Sequence, residues 1–386
     1  MKPVYLDYAA STPVAPDVIA VMQECLGLEG NFGNPASRSH LYGWLAEEAV
    51  ENARAQVAQL LNADPREVIW TSGATEAINL AIKGAAFAAK HSGQGEHIVT
   101  STIEHKAVLD TVNWLAQQGF RVSKVAPNSA GEITAEAVQA ALEEDTVLVS
   151  VMHANNETGV INDIAAIGAV AREANAIFHV DAAQTLGKLP LNMDVLAVDL
   201  LSASAHKIYG PKGMGALYVR RRPGVKVEAQ IHGGGHERGM RSGTLATHQI
   251  VGFGQACALA FESQEADNQR IAALRDRLWQ RLAQLPNVSI NGGDAKRLAG
   301  HLNVAFKGVN GDLLLAGLTK VAASSGSACT SASVAPSYVL AAMGLSSQDA
   351  HSSLRFSLGR YTTEEEVETA ADIIVDTVER LLASHE

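Results

Sequence analysis

The chain has 386 residues, 47% hydrophobic and 18% charged, an ordinary globular composition that excludes disordered and collagen-like readings. Its formal net charge of −11 argues against a large phosphate-backbone footprint, so no direct nucleic-acid partner is expected. Asp7 falls where a signal peptide needs its apolar run, and no stretch reaches the roughly 18 uninterrupted apolar residues of a membrane span; a cytoplasmic protein without membrane attachment is expected.

Near the start, Val18, Met22 and Cys25 share a helical stripe, which makes Cys25 a core residue. From Glu67 to about Arg220 short apolar runs alternate with amphipathic stretches. Residues 68–70, 97–100, 147–151, 177–180 and 198–201 read as strands, and 106–118 and 164–173 as helices between them. That alternation predicts a mainly parallel sheet covered by helices on both faces. Arg220-Arg221-Arg222 closes a strand-like run before Pro223 and, with no interleaved aromatic residue, reads as a solvated strand end. Helices are then expected over 249–263, where Cys257 continues the stripe of Ile250 and Phe253, and over 271–285, stopped by Pro286. Shorter strands are predicted at 301–306 and 354–357. A capping box, Thr363 with Glu366, opens a last helix whose stripe is Val367, Ala370, Ile374, Val378 and Leu381. The fold class is therefore α/β, with a large mainly parallel-sheet domain over residues 16–261. Residues 1–15 and 262–386 form a smaller α+β domain.

Four motifs carry chemistry. Thr71-Ser72-Gly73-Ala74-Thr75-Glu76 follows a strand and opens a helical run, so free N–H groups and a positive dipole end make a phosphate site. An ordinary helix start capped by Ser72 or Thr75 is the alternative, and a loop without lysine disfavours nucleotide hydrolysis. Asp181 ends an apolar strand, with Gln184 three residues on; such an acid can hold the N–H of a ring that acts as electron sink, or simply cap the next helix. Lys207 follows another strand and precedes a glycine-rich turn. A lysine in an apolar place, or beside a second cation, loses its proton readily enough to form a Schiff base. Lys212, between Pro211 and Gly213, is the nearby alternative. His232 and His236 are four apart, but three glycines lie between them, a helix there is disfavoured and no metal site is expected. Three cysteines cannot build a disulfide framework. Cys329 belongs to no apolar stripe; it lies among the small residues of 322–333, a segment with little to bury that is expected to move.

Together these motifs resemble the cysteine desulfurases, pyridoxal 5'-phosphate enzymes of the aminotransferase class V family, and most closely those of the bacterial iron–sulfur assembly type. The resemblance runs from Tyr5-Leu6-Asp7-Tyr8 to Phe356-Ser357-Leu358-Gly359-Arg360. It is carried by the 72–76 motif, Thr102-Ile103-Glu104-His105-Lys106, Asn155-Asn156-Glu157, the lysine loop, and Ser324-Ser325-Gly326-Ser327-Ala328-Cys329-Thr330-Ser331. It implies a pyridoxal-phosphate-dependent transferase fold (fold type I) and conversion of L-cysteine to L-alanine, with the sulfur held on Cys329 as a persulfide. Lys207 would bind the cofactor as a Schiff base, Asp181 would pair with its pyridine nitrogen and Gln184 with its phenolic oxygen. His105 would stack on the ring and move a proton on the substrate thiol, with Asn156 close to ring and substrate. The phosphate would rest on the backbone of Ala74 and Thr75 and the side chains of Thr75, Ser204 and His206. Thr244 would reach it from a neighbouring subunit, which implies a homodimer, and Arg355 would clamp the substrate carboxylate.

The resemblance also places the cysteine loop, about 322–337, in the small domain, and implies sulfur acceptors such as an iron–sulfur scaffold protein. On the residues alone, His105 and Asn156 could merely cap helices and Arg355 could be a strand-face charge. Selenocysteine lysis or another class V reaction is a rival within the fold; a non-catalytic sulfur carrier or scaffold is one outside it. Two features depart from close relatives. Ala205 stands where they often carry glycine, and only four residues follow Leu382 where they carry a longer tail, from which weak scaffold binding is expected.

Overall fold

A computed structural model describes residues 2–325 and 336–383. Its largest element is a seven-stranded sheet in the order Val68–Thr71, Gly215–Val219, Leu200–Ser204, Ile177–Asp181, Thr146–Met152, His97–Ser101, Arg121–Val125. Gly215–Val219 runs antiparallel to both neighbours, and the remaining pairs are parallel. Strands buried on both faces need continuous apolar runs, which is why 147–151 reads as one. Alternate side chains supply two different cores. Val99, Val149, Val151, Phe178, Val180 and Leu201 face one, while Ile98, Leu148, Ile177, Leu200 and Leu217 face the other.

A second, antiparallel sheet has the order Ser324–Ser325, Ser353–Ser357, His301–Phe306, Val288–Ile290. Leu302, Val304, Leu354 and Phe356 on it share a core with Val367, Ile374 and Val378 of the Glu364–Ala383 helix. The capping box that opens this helix is formed: Thr363 Oγ1 accepts from the Glu366 N–H at 3.1 Å, and Glu366 Oε2 accepts from the Thr363 N–H at 2.9 Å. The N-terminal segment bridges the two sheets. Val4–Tyr5 pairs with Val321–Ala322, and Leu6 enters the core of the second sheet while Tyr8 enters that of the first.

Several expectations need correction. The helices expected at 249–263 and 271–285 are one helix, Thr247–Leu282. Residues 264–270 contain no glycine or proline to stop it; the apolar stripe lapses there because the helix is passing from one core to the other. The strand expected at 198–201 is Leu200–Ser204 instead. Asp199, just before it, turns its carboxylate onto the Phe178 N–H at 3.1 Å and replaces a ladder bond. Arg221 and Arg222 are exposed, as a solvated strand end requires, but Arg220 is half-buried, and Arg220 and Arg222 are also bonded. Arg220 Nε donates to the Val198 carbonyl at 2.7 Å and Arg222 Nε to Asp199 at 2.8 Å, so both hold the strand end. Cys25 and Cys257 are buried, and burial pushes both thiols upward, away from the reactive thiolate. Cys329 lies outside the described residues, as does most of the 322–337 segment around it.

Candidate active site

In parallel α/β sheets the groups that meet ligand collect at the carboxyl ends of the strands. Here Asp181 and Ser204 are the last residues of adjacent strands, and both line a cavity of about 590 Å³. Ala9 and Ala10 of the N-terminal segment and Arg355 of the second sheet line it too. The cavity is thus built by both sheets and the segment that joins them.

One end of it is the start of the Ala74–His91 helix. Neither Ser72 nor Thr75 caps this helix; Gly73 is the cap, turned to φ 156° and ψ 177°, with no side-chain bond. The first intrahelical bond is Ala77 N–H to Gly73 O at 3.0 Å, so the N–H groups of Ala74, Thr75 and Glu76 precede the ladder and carry the positive end of the dipole. Ser204 and His206 line the same cavity. Burial first, then the charges of Lys207, Lys212 and Lys188, push His206 down to about 4, so its ring is neutral at pH 7. Neutral donors around a helix N-terminus suit a phosphate.

Lys207 ends the short helical turn Ala205–Lys207, a conformation open to the alanine at 205. Its ammonium donates to the carbonyls of Ala9 and, at 2.8 Å, Ala10. Lys212 also lines the cavity, but from an exposed turn. Asp181 accepts from the Ala183 N–H at 2.9 Å. Burial raises its proton affinity; that N–H, His105 and Lys207 oppose the rise. Gln184 Nε2 donates to the Ala9 carbonyl at 3.0 Å, while its Oε1 is buried without a partner among the described residues.

His105 does cap a helix, Lys106–Gln117, and faces the cavity as well. Its Nδ1 accepts from the Ala107 N–H at 3.1 Å, which leaves the neutral ring's proton on Nε2. Asn156 and Arg355 meet: Arg355 Nη1 donates to the Asn156 carbonyl at 2.8 Å and Nη2 to Asp7 at 2.6 Å. Asn156 Oδ1 and Arg355 Nε are buried and unpartnered among the described residues. Three orphaned polar atoms on the wall of one cavity (with Gln184 Oε1) mark it as built for a polar, planar guest.

Thr244 does not line the cavity. It is exposed, in a loop tied back by Arg241 Nε to Glu76 at 2.7 Å. Sequence reasoning missed Asp7, which holds Arg355, and two buried acids behind the site. Burial pushes Glu104 up to about 8 despite bonds from Ser101 at 2.6 Å and Met152 N–H at 3.0 Å. It pushes Glu157 up to about 7, beside the hydroxyl of Ser337. Both acids stand inside quoted motifs, but nothing in their spacing separates a buried carboxyl from a solvated one.

Known proteins share this architecture. The chain is 59% identical over 379 residues to the cysteine desulfurase IscS of Pseudomonas aeruginosa, covering 98% of this chain and 93% of the relative. A solved NifS-like protein superposes with a TM-score of 0.90 at 36% identity, over 98% of this chain and 100% of that one. SspA, solved in complex with cysteine, has a TM-score of 0.80 at 39% identity over 93% and 99%. The family model for aminotransferase class-V matches residues 4–369, nearly the whole length, and the chain belongs to that family.

Proposed function

We propose that the chain is a pyridoxal 5'-phosphate-dependent cysteine desulfurase, which releases L-alanine from L-cysteine and holds the sulfur on Cys329 for iron–sulfur assembly and other sulfur-transfer routes. The observation that carries this reading is the meeting of Lys207, Asp181, Gln184, His105 and Arg355 around one cavity whose far end is a helix N-terminus. The fit to the cofactor rests on that donor set and on the orphaned Gln184 Oε1 and Asn156 Oδ1.

When bound, the cofactor supplies an electron sink for the charge left at the substrate's α-carbon. The residues do the rest. Lys207 would hold the cofactor through its amine and, once its nitrogen is free, would take the α-proton. Asp181 would keep the ring nitrogen protonated, a task suited to a buried carboxylate. Gln184 directs its second amide hydrogen at the phenolic oxygen. The N–H groups of Ala74 and Thr75, with Thr75, Ser204 and His206, bind the phosphate. Arg355, already oriented by Asp7, takes the substrate carboxylate, and Asn156 beside it faces ring and substrate. His105 moves the thiol proton through Nε2. The Cys329 thiolate attacks the substrate sulfur; a sulfur–sulfur bond forms, the carbon–sulfur bond breaks, and its electron pair stays with the carbon that is protonated to alanine.

A homodimer completes the site in this reading, with Thr244 reaching the neighbour's phosphate. The exposed apolar run Leu26, Leu28, Phe32, Leu41, Tyr42 and Trp44 supports it, as such a patch on one chain marks an interaction surface. The cytoplasm is the proposed compartment; among the described residues no helix is long and apolar enough to cross a membrane. We place the boundary between the two domains near residue 261, within the long helix.

The test is a visible absorption spectrum before and after L-cysteine, followed by mass spectrometry. Wild-type protein should show the band of lysine-bound cofactor, release alanine and gain one sulfur on Cys329. Lys207→Ala should fold without the band, and Cys329→Ser should react with cysteine yet carry no persulfide. A persulfide on Cys25 or Cys257, or a surviving band in Lys207→Ala, would refute the assignment.

A further inference from the structure

A second, much smaller cavity of about 40 Å³ lies behind the first, and Ala9 lines both. Ala9 is the wall between them. Its carbonyl takes bonds from Lys207 and Gln184, and its N–H is held by Ser357 Oγ at 2.8 Å. Ser357 and Ile208, the residue after Lys207, line the inner chamber.

Lys188 also lines this chamber. Gly187 places it there. At φ 69°, with any Cβ 2.9 Å from Ala260 Cβ and 3.2 Å from Ile208 Cγ2, this position takes no larger residue without strain. The turn can therefore lie against the end of the lysine strand. Asn268 Nδ2 fixes the Lys188 carbonyl at 2.6 Å. Among the described residues the Lys188 ammonium has no carboxylate within ion-pair distance. Asp267, the nearest acid on the chamber wall, is taken by Arg360 at 2.8 Å and by Ser263 at 3.0 Å. His301, a titratable group of the second sheet there, is buried with Nε2 unpartnered among the described residues, and burial together with Lys188, Arg355 and Lys207 holds it neutral. Tyr8 and Tyr209 complete the charged and titratable surroundings, and burial pushes both phenols upward, so neither offers an anion. Where Lys188 holds its proton, no carboxylate among the described residues is left to neutralise it.

We propose that Lys188 is a positioning residue for Lys207: its ammonium, held behind the Ala9 wall, makes a proton on the Lys207 nitrogen costly, so that this amine is free to act as nucleophile and base. A cation near a lysine disfavours the second proton, and in an enclosed place water screens the repulsion poorly. The pull is mutual, since burial, Lys207 and Arg355 together lower Lys188 to about 7. On the far side, the charge of Lys207 also acts on Asp181 and His206, Arg355 is paired with Asp7, and Lys212 faces the same cavity from an exposed turn where water screens it. Lys188 is thus the enclosed cation whose charge, where it holds its proton, is left to act on Lys207. No established step of the reaction requires it.

This inference rests on Lys207 being the cofactor lysine, and the experiment separates the two. The holoenzyme is titrated without substrate, following the visible band that reports protonation of the Lys207 nitrogen. Lys188→Met keeps the stem and removes the charge; its midpoint should rise by about half a pH unit or more, a threefold gain in proton affinity. Lys188→Arg should stay near wild type, which a purely structural role would not produce. Lys188→Gln supplies the same comparison should the Met variant not fold. Midpoints within about 0.2 unit of wild type in neutral variants that retain the band would overturn the proposal, as would an Arg variant that shifts like Met. Absence of any band from wild-type protein would instead remove the reading of Lys207.

Discussion

Replacing Glu237 by glutamine should destabilise the fold by about 3–5 kcal/mol, the cost of breaking a buried ion pair from one side. The side chains of Arg54 and Glu237 are 4% and 2% exposed. Two guanidinium bonds join them, at 2.8 and 3.0 Å, and Glu237 Oε2 takes a third from the Trp70 N–H at 2.8 Å. Glutamine has the same shape but turns one of the two acceptor oxygens into a donor, which then faces either the guanidinium or Trp70 N–H. One charge-assisted bond, about 1.5–3 kcal/mol, is lost outright. The remainder comes from Arg54, left buried with only the half-exposed Glu51 as counter-charge. Glu237 and Arg238 also hold left-handed backbone, at φ 49° and 57°, which persists only where contacts over-determine it. Urea unfolding followed by circular dichroism and fluorescence gives the loss, provided the two transitions coincide. Because the pair is shielded, 0.5 M salt should change the difference little. In a cycle with Arg54→Met, the two single losses should sum to more than the double mutant's by about 2 kcal/mol or more. A loss under about 1 kcal/mol, or strict additivity, would refute this account of the pair.

Thr244→Ala should weaken cofactor binding by about 1.5–3 kcal/mol, one hydrogen bond to a charged group. In verified mixed dimers with Lys207→Ala, action in trans gives one site with both lesions and one with neither, so titration should recover a tight site; no recovery refutes the intersubunit assignment. Glu157 supplies a pH signature. Its folded carboxyl is raised from 4.5 to about 7, so the native state holds the proton more tightly and stability falls as pH rises between those values. Glu157→Gln removes that fall, and its stability relative to wild type should climb by up to about 3 kcal/mol from pH 4.5 to 8 in urea titrations.

Much of this site was legible because its parts announce themselves locally. Asp181 and Lys207 each end or follow an apolar run, and an apolar run ending in one charged group is a strand delivering that group to the sheet edge. Gly73 before a helical pattern works the same way, and as the cap itself it rules out the alternative of an ordinary start capped by Ser72 or Thr75. The helix 164–173 and the strand 301–306 have the bounds read from the sequence because an Asp163 cap and the alternation of Leu302, Val304 and Phe306 mark them. The antiparallel Gly215–Val219 strand was not recognised as such. A buried strand reads alike in either direction, and only its neighbours in space set its sense.

What stayed hidden depends on distance in the chain. The Asp7 contact to Arg355 spans 348 residues, and Lys207 rests on carbonyls from nearly two hundred residues away. Main-chain carbonyls have no sequence signature, so no reading of Ala9 or Ala10 could mark them as the seat of the amine. The same holds for Glu104, Glu157 and Lys188, whose meaning comes from the loss of water around them. A carboxyl or ammonium is ordinary in the sequence and becomes unusual when the chain closes over it. The long helix shows the reverse error. Its polar interval at 264–270 looked like an interruption, yet Asp267 and Asn268 there reach Arg360 and the Lys188 carbonyl. Those polar residues join the two cores and the inner chamber, so the stretch that appeared to separate two helices is where the helix ties the molecule together.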